Sequence, residues 1–369
     1  MKRKHLSGKS IGIVFGAFAP MHVGHVDLIT KEKRSNDNVL VIVSGSNTQK
    51  DRGTRTGLSL NRRFRNVREV FYDDDELIVV DKLDEADMPP YPEGWVPWVN
   101  CVKDLITKNT DGPEKITFYV GESEYVIELN RYYPQAQVEL IERSVINISA
   151  TEIRDNPIEN WRFITKPFRR HFTRKVLVVG SASGGKTTLV KDLARTYNAP
   201  CSLEYAREYQ EKYNVRDDEL DTNDYIHLLT DQYAQTAEII DNGQHSWLIF
   251  ADTNSTVTKV YIDYYLKENI SQEEFDLLDR LYQVTQAREK WDLIFVILPK
   301  SNYVDDGSRD MTMADNRTRD WFTKHLLDLL SPFKDKIVIL GENCDSDSFF
   351  ADNYHYAKKT IKERLHIEI

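Results

Sequence analysis

Two apolar runs of strand length each end in a glycine and pass directly into a polar, helix-forming stretch. They are Ile11 to Phe15 (IGIVF, then Gly16) and Lys175 to Val179 (KVLVV, then Gly180). Continuous runs of this kind are expected of strands buried on both faces, as in a parallel sheet. A second run, Val39 to Ser44, follows the first after a helical stretch at about 22–34, which makes a strand–helix–strand crossover. A polar loop is expected at 45–57, a helix from Ser59, and further strands at 77–80, 116–121 and 138–141. The segment 84–98, rich in proline and aromatics, is expected as an ordered loop rather than a helix. This half ends near 155, and two prolines and a basic cluster within 156–174 mark a junction. After Lys175–Val179 come expected strands at 247–251, 293–298 and 336–340, a helix at 188–197 and a last helix at about 352–365. The pattern is α/β with two domains, both built on parallel sheets, with the division drawn at 1–165 and 166–369.

Length and composition support that division without changing it. A chain of 369 residues exceeds a typical single core, and 40% apolar residues suffice for two. The net charge of -10 argues against broad binding to nucleic acid, although a local basic patch can still hold phosphates. Three widely spaced cysteines, without a CxxC pair, fit a reducing compartment and no structural zinc. No apolar run approaches the roughly 18 residues of a membrane helix, and the run after the basic N-terminus MKRKHLSGKS is too short for a secretory signal. A cytoplasmic protein without stable membrane insertion is expected. A homo-oligomer is compatible with the sequence, which does not set the oligomeric state.

The sharpest local motif is GSASGGKT at 180–187, a complete G-x-x-x-x-G-K-[ST] placed between a strand and a helix. Gly180, Gly184 and Gly185 let amides turn toward phosphate oxygens, with Ser183 and Thr188 in the same cradle. Lys186 is suited to the β- and γ-phosphates, and Thr187 to Mg²⁺ accompanying ATP. Asp252, ending the strand WLIFA, is placed as the second acid for that metal. Glu204 and Glu208 flank Arg207 in LEYAREY, and one of these carboxylates, or Asp252, can take the proton of an acceptor hydroxyl. The polar segment 305–320 carries Arg309, Arg317 and Arg319 and is similar to the mobile lids of small-molecule kinases.

VFGAFAPMHVGHVDLI at 14–29 places His22 and His25 three residues apart behind Gly16 and Pro20. A metal site lacks a well-placed third ligand, because Asp27 would face away on a helix. A catalytic base lacks an orienting carboxylate. A phosphate site has local support: the helix begins at the carboxyl edge of the sheet, where open α/β folds bind ligands, and i, i+3 spacing puts both rings on one face. ISATEIR at 148–154 adds the hydroxyls of Ser149 and Thr151, the cation of Arg154 and a capping-box spacing from Ser149 to Glu152. That combination suits a leaving pyrophosphate.

GAFAPMHVGH resembles the GxFxPxHxGH signature of the nucleotidyltransferase superfamily, and ISATEIR resembles its ISxTxxR partner. With the P-loop appended, the chain from about residue 10 onward resembles the NadR-type family of bifunctional nicotinamide-mononucleotide adenylyltransferases and ribosylnicotinamide kinases. The helix-turn-helix of some members is not expected, since only ten residues precede Ile11. The resemblance implies a Rossmann-like HxGH domain followed by a P-loop kinase domain. It implies ATP contacts from Gly16, Phe18, His22, His25, Ser149, Thr151 and Arg154 in the first domain. In the second it implies ATP contacts from Gly180 to Thr188, Arg309 and Arg317. It further implies a nicotinamide-nucleotide site at Ala17 and PYPEGWVPWV, with Trp98 (or Trp95) stacking on the ring. The implied ligands are ATP with Mg²⁺, nicotinamide riboside, nicotinamide mononucleotide (NMN) and NAD, with no nucleic acid. The alternatives are a phosphopantetheine adenylyltransferase fused to a dephospho-coenzyme A kinase, a sensor that binds NAD or ATP without turnover, and a partner of a membrane transporter that traps its substrate by phosphorylation.

Overall fold

The computed structural model describes residues 5–74, 76–141, 146–242, 246–305, 309–342, 344 and 348–367. Residues 1–4 of the basic N-terminal segment and 306–308 of the polar segment lie outside them. The chain forms two compact units, Met1–Phe172 and Thr173–Ile369.

The first unit runs β1 (Ser10–Gly16), α1 (Val23–Ser35), β2 (Asn38–Gly45), α2 (Arg52–Arg55), α3 (Leu60–Val70), β3 (Ile78–Asp84), α4 (Trp95–Asn109), β4 (Lys115–Val120), α5 (Ser123–Tyr132), β5 (Gln137–Leu140), α6 (Ala150–Asp155) and α7 (Lys166–Phe172). Its five strands lie in the order β3-β2-β1-β4-β5, and every pairing is parallel. Alternation along the strands feeds two cores. Val14, Val39, Val41 and Val43 pack with Phe64 and Val67 of α3 on one face. Ile11, Ile13, Leu40 and Ile42 pack with Trp98, Val102 and Ile106 of α4 on the other. With a period of two, both faces of β1 and β2 must be apolar, and this produced the unbroken runs in the sequence. The strand order turns back on itself between β1 and β4, and the crevice beyond the carboxyl ends there is the ligand position of such sheets.

Two expectations change. The segment 84–98 is a loop only as far as Gly94: α4 starts at Trp95, with Pro97 in its first turn. The first amides of a helix have no intrahelical partner, so a proline there costs little and does not break the helix. The first unit also extends to Phe172. Phe168 of α7 is fully buried in the core beside α3, and Thr165 donates from its hydroxyl to the Met21 carbonyl at 3.0 Å. The boundary therefore falls seven residues beyond the division at 165.

The second unit contains β6 (Arg174–Gly180), α8 (Lys186–Thr196), β7 (Cys201–Ser202), α9 (Tyr205–Tyr213), α10 (Thr222–Asn242), β8 (Leu248–Asp252), α11 (Ser255–Tyr265), α12 (Gln272–Gln286), β9 (Leu293–Ile297), α13 (Asn316–Leu329), β10 (Ile337–Leu340) and α14 (Phe349–Leu365). Its sheet order is β10-β9-β6-β8-β7, again all parallel, with β6 at the centre. Leu177, Val179, Ala251, Ile294 and Val296 pack one face against Val257 and Val260 of α11 and Phe322 and Leu326 of α13. Among the described residues no helix is long and apolar enough to cross a membrane.

Candidate active sites

In the first unit, β1 ends at Gly16 and His22 is the N-cap of α1. The rings of His22 and His25 stack with centroids 3.7 Å apart, and the Phe18 ring meets His25 edge-on at 5.1 Å. Burial pushes His22 down to about 4, although Glu152 nearby acts in the opposite direction. Burial, and then the neighbouring His22, push His25 down to about 3. Both rings are therefore neutral near pH 7, and each keeps one N–H. The backbone N–H of His22 donates to Nδ1 of His25 at 3.3 Å. That assigns the His25 proton to Nε2, the nitrogen left to donate elsewhere. The pair is thus a set of neutral hydrogen-bond donors at a helix start, with the peptide dipoles of α1 behind it.

The ISATEIR segment joins the same place. Ser149 caps α6 by accepting from the Glu152 amide at 3.1 Å, while Glu152 accepts from the Ser149 amide at 2.8 Å. Arg154 of α6 donates to the Ala19 carbonyl and, at 2.9 Å, to the Thr151 hydroxyl. Two motifs separated by most of the domain's sequence therefore share one end of the sheet. Burial and the nearby cation of Arg52 lower the Arg154 guanidinium, which puts a second positive charge within electrostatic reach of Arg154. Arg52, on α2, was not singled out in the sequence.

Arg63 was also missed. It is fully buried, donates to the Ala17 carbonyl at 2.7 Å and pairs with Asp51 at 2.9 Å. Burial alone would raise the Asp51 carboxyl, but the Thr54 and Ser46 amides and Arg63 hold it low. Arg63 thus ties the turn after β1 to the loop after β2, leaving Ala17 exposed beside the crevice. An arginine on the inner face of an amphipathic helix carries no local mark of this role.

Trp95 and Trp98 occupy the first turn of α4. They are 4% and 1% exposed, so they form the wall of an aromatic box, and Trp98 is not an open stacking face. Phe15 lies 4.9 Å from Trp98 and 5.0 Å from Tyr125, and Tyr91 lies 4.7 Å from Trp95. The more accessible rings are Tyr91, at 47% exposure, and the half-buried Phe15 and Tyr125.

In the second unit the P-loop follows β6. Gly180 has φ +149°, and a Cβ there would lie 2.6 Å from the Ile297 carbonyl oxygen; Gly185 has φ +83°, and its Cβ would meet the Phe350 ring at 2.4 Å. Glycine is required at both positions by backbone conformation, and at Gly180 also by space, since the neighbour there is a backbone oxygen. Gly184 is buried, and Thr188 is exposed in the first turn of α8. Lys186 is buried, and its ammonium donates to the Ser181 carbonyl at 3.2 Å. The Thr187 hydroxyl donates to the carboxylate of Asp252, which is fully buried at the end of β8. Burial, then Glu204, raise Asp252 to about 6. A hydroxyl and a carboxylate side by side are hard oxygen donors that fit Mg²⁺, which takes few protein ligands and keeps its water and phosphate oxygens.

Glu204, at the start of α9, pairs with Arg207 at 3.0 Å. Burial alone would raise it, but Lys186, Arg207 and Arg309 hold it below its ordinary value. Glu204, Lys186 and Arg309 line one pocket together with Asp217, Tyr225 and Tyr261. Glu208, considered beside Glu204, is exposed on the outer side of α9. Of the arginines in the polar segment, Arg309 donates to the Ser183 hydroxyl, and the buried Arg319 donates to the Ser301 carbonyl at 2.8 Å. Arg317, expected at the nucleotide, is instead exposed in the first turn of α13. A helix presents residues two apart on different faces, which separates Arg317 from Arg319. Two further residues escaped the sequence. Asp217 accepts from Gln210 at 2.9 Å and from the Asp310 amide at 3.2 Å. Glu289 accepts from Ser255 and Asn254, fixing the turn after Asp252 at the start of α11.

Two family models match the chain, one within each unit. The cytidylyltransferase-like family model matches residues 13–156, and the AAA domain model matches 175–343. The trifunctional NAD biosynthesis/regulator protein NadR of Salmonella typhimurium is 28% identical over 369 residues, covering 96% of this chain and 84% of that protein. The protein of the same name from Escherichia coli is 28% identical, covering 93% and 81%. The crystal structure of NadR protein in complex with NR matches 100% of this chain and 99% of that one, with TM-score 0.88 and 43% identity. The structure of NadR protein in complex with NAD and AMP-PNP matches 99% of each chain, with TM-score 0.85 and 42% identity.

Proposed function

The chain belongs to the NadR family, and on that premise we propose that it is a bifunctional enzyme of NAD salvage whose two units catalyse consecutive steps. The second unit phosphorylates nicotinamide riboside with ATP to give NMN and ADP. The first transfers AMP from a second ATP to NMN, giving NAD and pyrophosphate. The observation that carries the reading is that one chain holds two different clusters of donors at helix starts, each at the carboxyl end of its own sheet and each suited to phosphate. One is the neutral histidine pair with Arg154; the other is the P-loop with Lys186 and the Thr187–Asp252 couple.

In the phosphorylation step, Thr187 and Asp252 would hold the Mg²⁺ of the nucleotide, which screens charge on the transferred phosphoryl. The P-loop amides and Lys186 bind the phosphates. Arg309, seated on Ser183, brings a cation over them. The riboside occupies the pocket lined by Glu204, Asp217, Tyr225 and Tyr261. Its 5′-oxygen forms the new bond to the γ-phosphorus, the bond to the ADP oxygen breaks, and the hydroxyl proton passes to a carboxylate. Asp252 already bonds Thr187, which leaves Glu204, ionised between cations, as the acceptor the pocket favours.

In the adenylyl transfer, the NMN phosphate is itself the nucleophile, so no protein base is needed. Its oxygen bonds the α-phosphorus as the bond to pyrophosphate breaks. His25 Nε2–H, the free N–H of His22, Arg154 and Arg52 donate to the oxygens on which charge grows. Separate assays test the reading: riboside with ATP should yield NMN and ADP, and NMN with ATP should yield NAD and pyrophosphate. Pantetheine phosphate in place of NMN should yield nothing. A chain that binds NAD but releases no pyrophosphate would make it a sensor, not an enzyme.

A further inference from the structure

The turn after β8 holds a strained residue between two anchors. Thr253, next to Asp252, has φ +74°, in the left-handed region that a β-branched side chain rarely adopts. Such strain persists only where the surroundings over-determine it. On one side the Thr253 amide donates to the Val178 carbonyl of β6 at 3.1 Å. On the other, the carboxylate of Glu289 holds the next two residues. Its Oε1 accepts from the Ser255 amide at 3.1 Å. Its Oε2 accepts from the Ser255 hydroxyl at 2.9 Å and from the Asn254 side-chain amide at 2.7 Å. Glu289 is buried, and its own amide donates to the Thr285 and Gln286 carbonyls at 3.2 and 3.1 Å, which seats it on the end of α12.

A remote carboxylate thus caps α11. Asn254, the N-cap residue, makes no capping bond of its own. Glu289 accepts from the first helical amide instead, at the positive end of the peptide dipoles. The turn that it holds carries chemistry. Asp252 accepts from Thr187 and, at 3.3 Å, from the Thr253 hydroxyl. Thr253, Val257 and Thr258 line the pocket together with Lys186 and Glu204. Without the Glu289 anchor, Thr253 is free to relax to negative φ, which swings the chain on both sides of it, Asp252 included.

We infer that Glu289 is a positioning residue of the phosphoryl-transfer site. By holding Asn254 and Ser255 it keeps Thr253 in its left-handed turn and the Asp252 carboxylate aligned with Thr187 for the metal of the nucleotide. The inference rests on the kinase reading of the second unit. Glu289 does not line the pocket, so its effect passes through the turn. Removing a group that orients a metal ligand lowers metal affinity or activity by about 10–100-fold.

The test compares the wild type with Glu289→Met, which fills similar space without an acceptor, and with the milder Glu289→Gln, which keeps one oxygen for the Ser255 amide. Leu278→Ala, a core substitution on α12, controls for lost stability. Two quantities are read: kcat for riboside phosphorylation at saturating ATP and Mg²⁺, and the calorimetric affinity for ADP with Mg²⁺ divided by that with EDTA. Only the ADP binding that Lys186→Ala abolishes is counted, which restricts it to the P-loop. Glu289→Met should lower kcat by about 10–100-fold and the affinity ratio by about tenfold, and Glu289→Gln should lower both by less. Leu278→Ala should lower the melting temperature and leave the ratio in place. Thr253→Gly gives an independent check, because glycine adopts positive φ freely. In that background the fall in kcat caused by Glu289→Met should shrink by at least about threefold. An affinity ratio unchanged in both Glu289 variants, or lowered equally by Leu278→Ala, would overturn the assignment while leaving riboside phosphorylation by the wild type in place. The same loss with and without Thr253→Gly would also overturn it. A wild type that phosphorylates no riboside would overturn the assignment together with the reading beneath it.

Discussion

Replacing His25 by alanine isolates what the paired imidazoles contribute. The substitution removes the Nε2–H donor and also the ring that accepts the His22 amide at 3.3 Å, stacks on His22 at 3.7 Å and packs against Phe18 at 5.1 Å. The packing and hydrogen-bond losses should destabilise the first unit by about 1–3 kcal/mol. The kinetic loss is separate. A donor aimed at charge that develops only in the transition state contributes about 3 kcal/mol, or about a hundredfold in rate. We expect kcat for NAD formation from NMN and ATP to fall by about that factor, with KM for ATP changed little, because the ground-state phosphates keep the helix start, Arg154 and Arg52. Product is followed chromatographically as NAD and pyrophosphate. Riboside phosphorylation by the same preparation serves as the folding control and should be unchanged. The pH profile sharpens the test. His22 is held down to about 4 and His25 to about 3, so both are already neutral at pH 6 and above. The wild-type rate should therefore show no histidine titration between about pH 6 and 8. A rate that falls tenfold per pH unit above about 6.5 would mean that an imidazolium does the work and would refute the neutral-donor mechanism. So would a loss of both activities in a folded His25→Ala protein.

Lys186→Ala should abolish riboside phosphorylation and leave conversion of NMN to NAD intact, read by supplying each intermediate separately. Gly180→Ala forces a Cβ to 2.6 Å from the Ile297 carbonyl oxygen at φ +149°, so it should lower the melting temperature and the kinase rate together, at a cost of about 2 kcal/mol or more, measured by thermal unfolding with and without ATP. Arg63→Met leaves Asp51 without its partner inside the loop frame; it should destabilise the first unit by about 3–5 kcal/mol in denaturant unfolding and weaken NMN more than ATP. The histidine pair also sets an acid limit. Unfolded, each ring takes a proton near 6.5, whereas folded it does so only near 4 or 3, so protons bind the unfolded chain first as pH falls. The stability they confer is full above about 6.5 and is lost toward 4 at up to about 1.4 kcal/mol per pH unit per ring. His22→Asn/His25→Asn should flatten that decline in the melting temperature.

Features with a local cause were legible in the sequence; those assembled from distant segments were not. β1, β2 and β6 announced themselves because burial on both faces demands continuous apolar residues. The P-loop and the histidine pair were legible because a phosphate site at a helix start is built from consecutive amides, glycines and one or two side chains. The pocket of the second unit is different. Asp217, Tyr225 and Tyr261 line it from three separate elements, and none has a neighbour in sequence that betrays its place there. Arg63 is one arginine in an arginine-rich helix, marked only by the direction in which it points. The start of α4 was hidden by Pro92 and Pro97, which punctuate a loop in the sequence although the second sits in a helical first turn. Arg317 and Arg319 were interchangeable as residue types; helical rotation decides which faces the P-loop.

The most direct test follows the whole pathway in one vessel. Nicotinamide riboside labelled in its ring is incubated with the wild-type chain, ATP and Mg²⁺, and the ring label, ADP and pyrophosphate are counted over time. Consecutive sites predict that label passes through NMN into NAD with one ADP and one pyrophosphate released per NAD. They also predict that Lys186→Ala stops label at the riboside while His25→Ala makes label accumulate at NMN, passing into NAD about a hundredfold more slowly. Label that remains in riboside with the wild type, or that stops at the same compound in both variants, would contradict two sites acting in sequence.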